Sequence, residues 1–463
     1  MSTFSGLNAA YTGLVAARHG LDVTGQNIAN ANTAGYTRQR IETSASEAPR
    51  LGLFSTGIRP GQGVLVTGIA RLGEAHLDTR VRISAGTAGY TEVRAEAFST
   101  FETSLREPGA DGISTSLQQF WAGWQDLSNQ ADQDAPAIHL LAKADDLAQR
   151  IATGYRAVED QWSTLRSSAT GVVAEVNATA GQIAQLNDQV RITLAAGGSA
   201  NELIDRRAAL ATTVATLAGG VVRDNPDGTI AVLIGGSAVV DGGAARELKL
   251  SGSASLAEGG VVQVEWAHRP GAPAALESGE LAGALSLLAP ADGGGVLTQA
   301  AAGYDTFARD LATQVNRIHG GDGAKGDFFA FDPSRPALSL AVMPADRSGI
   351  AIGDPAAGAY DGSVADRISE LGLDGAGSPD VQWANFVTGI GSATRSELQG
   401  NALAALSASS AVQQQLSSSS VSMDEEQVNL LTYQHAYQGA ARVMTAVDEM
   451  LDVLINRTGI VGR

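Results

Sequence analysis

At 463 residues, with 44% hydrophobic, 17% charged and only 5% aromatic positions, the chain is long enough for roughly two to four domains around a large core. Its formal charge of −18 argues against nucleic acid, whose phosphates need dense basic patches, and no stretch approaches the roughly 20 continuous apolar residues that span a bilayer. The absence of cysteine excludes disulfides, thiolate metal sites and a cysteine nucleophile.

The first ten residues have neither a basic n-region nor a continuous apolar run, so no Sec-type leader is expected. Leu7, Leu14, Leu21 and Ile28 then recur every seventh position, with Ala10, Ala17 and Thr24 between them. A 3-4 alternation keeps one stripe of a helix facing a partner, as coiled-coil packing requires. Gly6, Gly13, Gly20 and Gly25 weaken this helix, each by up to about 1 kcal/mol relative to alanine. Short helices are marginal alone, so this one is expected to form fully only when partners cover its stripe.

Further on, Ile113, Leu117, Phe120, Trp124 and Leu127 predict a short amphipathic helix. A long seam follows, from Leu141, Ala144, Ala148 and Ile151 through Tyr155, Val158, Trp162 and Leu165 to Ile183, Leu186 and Val190. Pro136 sits in its first turn, where a missing N–H costs least. A helix over residues 141–190 would be about 75 Å long at 1.5 Å per residue. Gly171 and Gly181 are expected to bend or interrupt it, and Glu202 to Leu217 predicts another helix. The middle seam is read as an ordinary intramolecular bundle, whereas the terminal seams are read as assembly surfaces.

Val221 to Ile234 predicts a hairpin turning at Asp227-Gly228, with short β-like runs to Trp266. Residues 322–380 are rich in Gly, Pro, Asp and Ala and are read as a second β-containing, outward-facing stretch. Helix returns over Leu281 to Leu288 and Ala301 to Ile318, and again from Trp383, Phe386 and Ile390 to about Leu416. The Ser417-to-Ser420 run is read as a break. Ser422 with Glu425 forms a capping box, and Asp424, Glu425 and Glu426 favour the helix N-terminus. The closing seam is Leu430, Tyr433, Tyr437, Ala440, Met444, Val447, Leu451 and Leu454, widened by Leu431, Val443 and Met450, with a stop expected at Gly459.

The fold expected is mainly α with smaller β-containing outer segments, its N- and C-terminal helices paired as a coiled coil on an elongated helical-bundle body. Residues 1–40 and 417–463 form the inner terminal domain, 41–220, 281–320 and 381–416 the helical body, and 221–280 and 321–380 the outer segments.

No catalytic or metal constellation stands out. Gly321, Gly323 and Gly326 match Gly-x-Gly-x-x-Gly, but after a helix, not a strand, so a flexible loop is the better reading. Asp322, Asp327 and Asp332 lack the glycine and terminal glutamate of a calcium loop. The histidines show no i,i+4 pair, and there is no Gly-x-Ser-x-Gly elbow. No residue is therefore assigned a catalytic, metal-ligating or cofactor-binding role.

Gly25-Gln-Asn-Ile-Ala-Asn-Ala-Asn-Thr-Ala-Gly-Tyr-Thr-Arg-Gln-Arg40 and Ser422-Met-Asp-Glu-Glu-Gln-Val-Asn-Leu-Leu-Thr-Tyr-Gln-His-Ala-Tyr-Gln438 resemble the paired signatures of the bacterial flagellar axial proteins of rod, hook and hook-filament junction. Tyr36 to Arg40, Leu430 to Gln434, Asn201 to Arg207, Asp227 to Thr229 and Ile234 to Gly236 resemble the junction members of that family. Ala34 stands where the family usually has proline. The signature residues carried over are Asn27, Ile28, Ala29, Asn30, Asn32, Thr33, Gly35 and Tyr36. The resemblance implies a structural, non-enzymatic subunit joining hook to filament. It implies assembly with itself, with the hook protein and with a second junction protein, and a cytoplasmic export chaperone on the C-terminal helix. It implies no cofactor, nucleic acid or membrane, and places the protein in the extracellular flagellum after export through the type III apparatus without cleavage. Alternatives are another axial protein such as hook or distal rod, disfavoured by the long helical body because hook proteins resemble β-rich outer domains, or a secreted enzyme such as a peptidoglycan hydrolase on an axial scaffold, disfavoured by the lack of a catalytic constellation.

Overall fold

A computed structural model describes residues 3–46, 61–322, 325–354, 356–373, 375–453 and 455. The seam position Leu454, the stop at Gly459 and Gly323 of the glycine-rich loop lie outside the described residues. Helix α1 (Thr3–Asn30) leads into an antiparallel hairpin of β1 (Gln39–Ala45) and β2 (Val64–Arg71). Helices α2 (Ala75–Leu105), α3 (Ile113–Asn129), α4 (Asp134–Ala195) and α5 (Asn201–Ala218) follow. The hairpin falls in a stretch assigned from sequence to the helical body; its alternation is interrupted by a register shift between Glu42 and Thr43.

α4 is the spine. Its 62 residues run without interruption, about 93 Å at 1.5 Å per residue. The expectation of a break at Gly171 or Gly181 is corrected: the helix passes through both, and a Cβ at either would meet nothing within 4 Å. Gly154 differs. A Cβ there would lie 2.5 Å from the Tyr304 hydroxyl, so this glycine lets a buried ring lie against the helix backbone.

The spine crosses two cores. Around its first half Phe120, Trp124, Leu147, Trp162, Phe328 and Phe329 pack with α7 (Val296–Asp322). Around its second half Val176, Ile183 and Val214 pack against a four-stranded antiparallel sheet and a two-stranded ribbon. The sheet runs in the order β3 (Val221–Asp224), β4 (Ile230–Ile234), β5 (Ser237–Asp241) and β6 (Ala244–Ala245). The ribbon is β7 (Leu248–Gly252) with β8 (Val262–Trp266). The predicted turn lies between β3 and β4, with Gly228 at φ +82° and the Asp227 carboxylate accepting from the Thr229 N–H. α6 (Gly279–Leu288) covers the sheet side of the core through Leu281 and Ala284.

Among the described residues, 321–380 hold less β structure than their composition suggests. Their strands are β9 (Phe329–Ala330) and β10 (Ala341–Val342), two residues each, beside short α8 (Pro336–Ser339) and α9 (Ser363–Ser369). The chain returns along α10 (Pro379–Ser419) and ends with α11 (Met423–Asp452). α10 starts as its sequence demands, with Pro379 first and the Ser378 hydroxyl accepting from the Val381 N–H. The predicted break shifts: Ser417 to Ser419 complete α10, and Ser420 with Val421 make the turn.

α10 runs antiparallel to α2. Arg94 pairs with Glu397, Thr91 with Asn401, Asp78 with Gln415 and Glu74 with Ser418. The sequence showed no stripe for α2 because much of its buried face is Gly86, Gly89, Ala95 and Ala97. A Cβ at Gly89 would lie 2.5 Å from the Thr216 carbonyl oxygen, so α2 and α5 approach through missing side chains, not apolar bulk.

Candidate assembly interface

α1 and α11 pair side by side, and two contacts fix their direction. Gly20 faces Tyr433, and Asn27 reaches Glu426, so the helices run antiparallel. Gly20 is a seat for the tyrosine: a Cβ there would lie 2.5 Å from the ring. The predicted positions Leu7, Leu14, Leu21 and Ile28 on α1, and Leu430, Tyr433, Met444 and Leu451 on α11, are half-buried. Val447 is buried, and Tyr437 is exposed. The deepest stripe of α1 is made of smaller groups, Ala10, Ala17, Gly20, Val23, Thr24 and Asn27.

The far side of α11 is bare. Val428 is 63%, Leu431 55% and Met450 51% exposed, with Val443 beside them, and Tyr11 is likewise bare on α1. A two-helix unit has only one internal seam, so large side chains elsewhere on the pair have nothing of this chain to cover them.

The pair is bolted to the body by polar groups. Asn27, 1% exposed, uses its whole amide. Its Nδ2 donates to the Gln39 carbonyl at 2.9 Å and to Glu426 Oε2 at 3.1 Å, while its Oδ1 accepts from the Tyr36 hydroxyl and the Gln39 N–H. Burial, then the Glu202, Asp205 and Glu426 carboxylates, push the Tyr36 phenol up to about 12, which keeps it a donor. Arg38 pairs with both Glu425 and Glu426, and its N–H donates to the Ser419 carbonyl. On the body side, Asp205 accepts from the Thr37 N–H at 2.9 Å and pairs with Arg71, which also approaches Asp78. Asn201 donates to Gln39 Oε1 and to the Ile69 carbonyl, and Glu202 accepts from Gln39 Nε2.

The Asn201-to-Arg207 motif therefore has two faces. Asn201, Glu202 and Asp205 hold the terminal segment. Arg207 turns away and donates to Asn187 Oδ1 and the Gly228 carbonyl, anchoring the β3–β4 turn.

The remaining signature residues shape the exit from α1. Asn30 donates to the Gln26 carbonyl and accepts from the Thr33 hydroxyl, and Gly35 takes φ +78°, a left-handed conformation that a side chain would strain. Ile28 is half-buried, and Ala29 and Asn32 are exposed. Sequence reasoning assigned no tertiary contact to Arg38, Gln39, Arg71, Asp205 or Glu426. A polar Asn27 in register with an apolar stripe was the one available signal, because a buried amide must find partners.

Asp332 closes a turn by accepting from the Ser334 N–H and hydroxyl. Among the described residues no group of three or more His, Cys, Asp or Glu is placed to hold a metal.

A sequence profile described as the flagellar hook-associated protein FlgK helical domain matches residues 98–329, half of the chain. The chain belongs to the FlgK family. Profiles for the flagellar basal body rod protein and for the C-terminal region of FlgEFG rod proteins match residues 7–37 and 412–457, which cover α1 with its exit and α11. Flagellar hook-associated protein 1 of Bacillus subtilis is 27% identical over 507 aligned residues, covering 100% of both chains. The protein of that name from Salmonella typhimurium is 31% identical over 245 residues, 52% of this chain and 43% of its own length. The solved flagellar hook junction protein FlgK from Burkholderia pseudomallei superposes with a TM-score of 0.61 at 15% identity, covering 73% of this chain and 100% of that one. That likeness establishes the FlgK fold here, mainly helical with small sheets.

Proposed function

We propose that this chain is a structural subunit of the bacterial flagellum, joining hook to filament, and that copies pack through the paired α1 and α11. The observation that carries the packing is the bare apolar side of α11, with Val428, Leu431, Val443 and Met450 in solvent. Such a face on an otherwise well-packed protein marks a contact surface. The half-buried Leu7, Leu14 and Leu21 gain full burial when neighbouring pairs close around them, each side chain worth up to about 1.5–3 kcal/mol.

The partners of this arrangement are further copies, the hook protein below and a second junction protein above. An export chaperone covers the α11 face in the cytosol, and the chain leaves through the flagellar type III channel. Its contribution is architectural, with no reaction and no cofactor. The charge of −18 leaves nucleic acid aside, and no helix among the described residues is long and apolar enough to cross a membrane.

Deleting the gene tests the placement. Cells with hooks, no filaments and flagellin shed into the medium are expected; normally filamented cells would overturn it. Truncation after Val421 is expected to abolish co-purification with the cognate chaperone while the body stays folded.

A further inference from the structure

Residues 398–423 contain no charged side chain, in a chain that is 17% charged. They form the second half of α10 and the link into α11. One side of this half is occupied by α2, through Asn401, Gln415 and Ser418 and through the buried Ala404 and Ala411. Steps of three and four put Leu403, Leu406, Ser409 and Gln413 on the opposite side. Leu403 is 70% and Leu406 68% exposed there, with Leu398 and Leu416 partly bare on the flanks. The solvent side of a helix ordinarily carries Lys, Arg, Asp or Glu; this one carries leucine, alanine, serine and glutamine.

We infer that this uncharged face of α10 is the side-by-side contact between neighbouring copies of the chain, an inference that rests on the junction reading above. Charge selects the occupant. Two copies at −18 each repel within a Debye length of about 8–10 Å, and a face that carries no charge of its own lets them approach without adding to that repulsion. A different partner gains specificity and speed by matching the acidic surface with basic residues, and this face offers nothing to match. Its size points the same way. About 21 residues of helix give a strip of roughly 32 Å by 10 Å, about 300 Å², against roughly 800 Å² per partner in a stable pair. The contact therefore acts only within an array, where α1 and α11 already hold the copies together, and isolated chains remain monomeric.

The absence of cysteine permits a clean test. A benzophenone photo-cross-linker is attached at Ser409→Cys, and purified hook-filament particles are irradiated. The expected product has twice the chain mass and yields peptides of this chain alone. Cross-links to another protein, or none although the chain is in the particles, would overturn the inference. A chain missing from the particles would instead overturn the junction reading, and this inference with it. The double variant Leu403→Glu, Leu406→Glu is expected to melt like the parent yet fail to restore motility to a deletion strain; full motility would also sink the proposal.

Discussion

Asn27 shows how one side chain couples three segments. Replacing it with alanine leaves the Gln39 backbone groups, the Tyr36 hydroxyl and Glu426 short of partners in a buried setting. The expected cost is about 2–3 kcal/mol, falling on the terminal pair and not on the body. Amide hydrogen exchange checks it: α1 and α11 should exchange roughly 30–150-fold faster with α4 unchanged. His319 makes a second residue-scale prediction. It is fully buried; Nδ1 donates to the Gly326 carbonyl, leaving Nε2 to accept the Ala351 N–H. Burial holds its pKa below the ordinary value, only partly offset by the Gly326 carbonyl and Asp327. A depressed histidine contributes stability that is complete above the unfolded value near 6.5 and is lost as pH falls through the folded value. Denaturant midpoints should therefore drop below about pH 6.5, by at most about 1.4 kcal/mol per pH unit for this proton. The His319→Gln variant should show a flatter profile.

At the scale of elements, α4 carries more glycine than its role requires. Gly171 and Gly181 have ordinary helical backbone and open space where a Cβ would go. Gly171→Ala and Gly181→Ala should each stabilise by about 0.5–1 kcal/mol, additively at this separation, read as a higher urea midpoint at unchanged slope. Gly154, against Tyr304, and Gly89, against Thr216, are needed for close approach and would not tolerate the change. The distinction is invisible in sequence, where all four are glycines in helical stretches. It also explains why the α4 seam was legible and α2 was not. Val158, Trp162, Val176 and Ile183 announce a stripe by bulk, whereas Gly86, Gly89, Ala95 and Ala97 pack by lacking it.

Across the whole molecule the terminal pair meets the body through polar groups, with no described residue of α1 or α11 in the apolar cores around α4. α1 packs on α11 and on the hairpin, and the segment after it is tied to the body by polar groups, among them the clasp around Asp205 and Arg71. Leu14→Asp with Leu21→Asp should thus leave the melting of the body unchanged and abolish incorporation into flagella, because a charge in the seam must be desolvated when copies close. Thermal melting of the purified variant, paired with a motility assay, decides; restored filaments would refute it. The same division places conflicting demands in different segments. The body keeps its cores through α4, while the ends leave apolar side chains exposed, which the packing proposed above would cover.

Periodicity alone determined the helices α1, α3, α4, α5, α10 and α11, because a stripe repeats locally, and it determined the β3–β4 turn, because Asp227-Gly228 needs no distant partner. The paired signatures at the two ends pointed to the flagellar axial proteins, and the profile over residues 98–329 narrowed this to the FlgK family. Tertiary structure decided which positions meet: that α1 and α11 run antiparallel with Gly20 under Tyr433, and that Asp205 grips Thr37 and Arg71. It also decided that the described residues between 321 and 380 fold chiefly as turns and short helices, with Phe328 and Phe329 in the core. The reason is physical. A stripe is a property of neighbours three and four residues apart, whereas a buried carboxylate or a missing Cβ acquires its meaning only from a group far away in the chain.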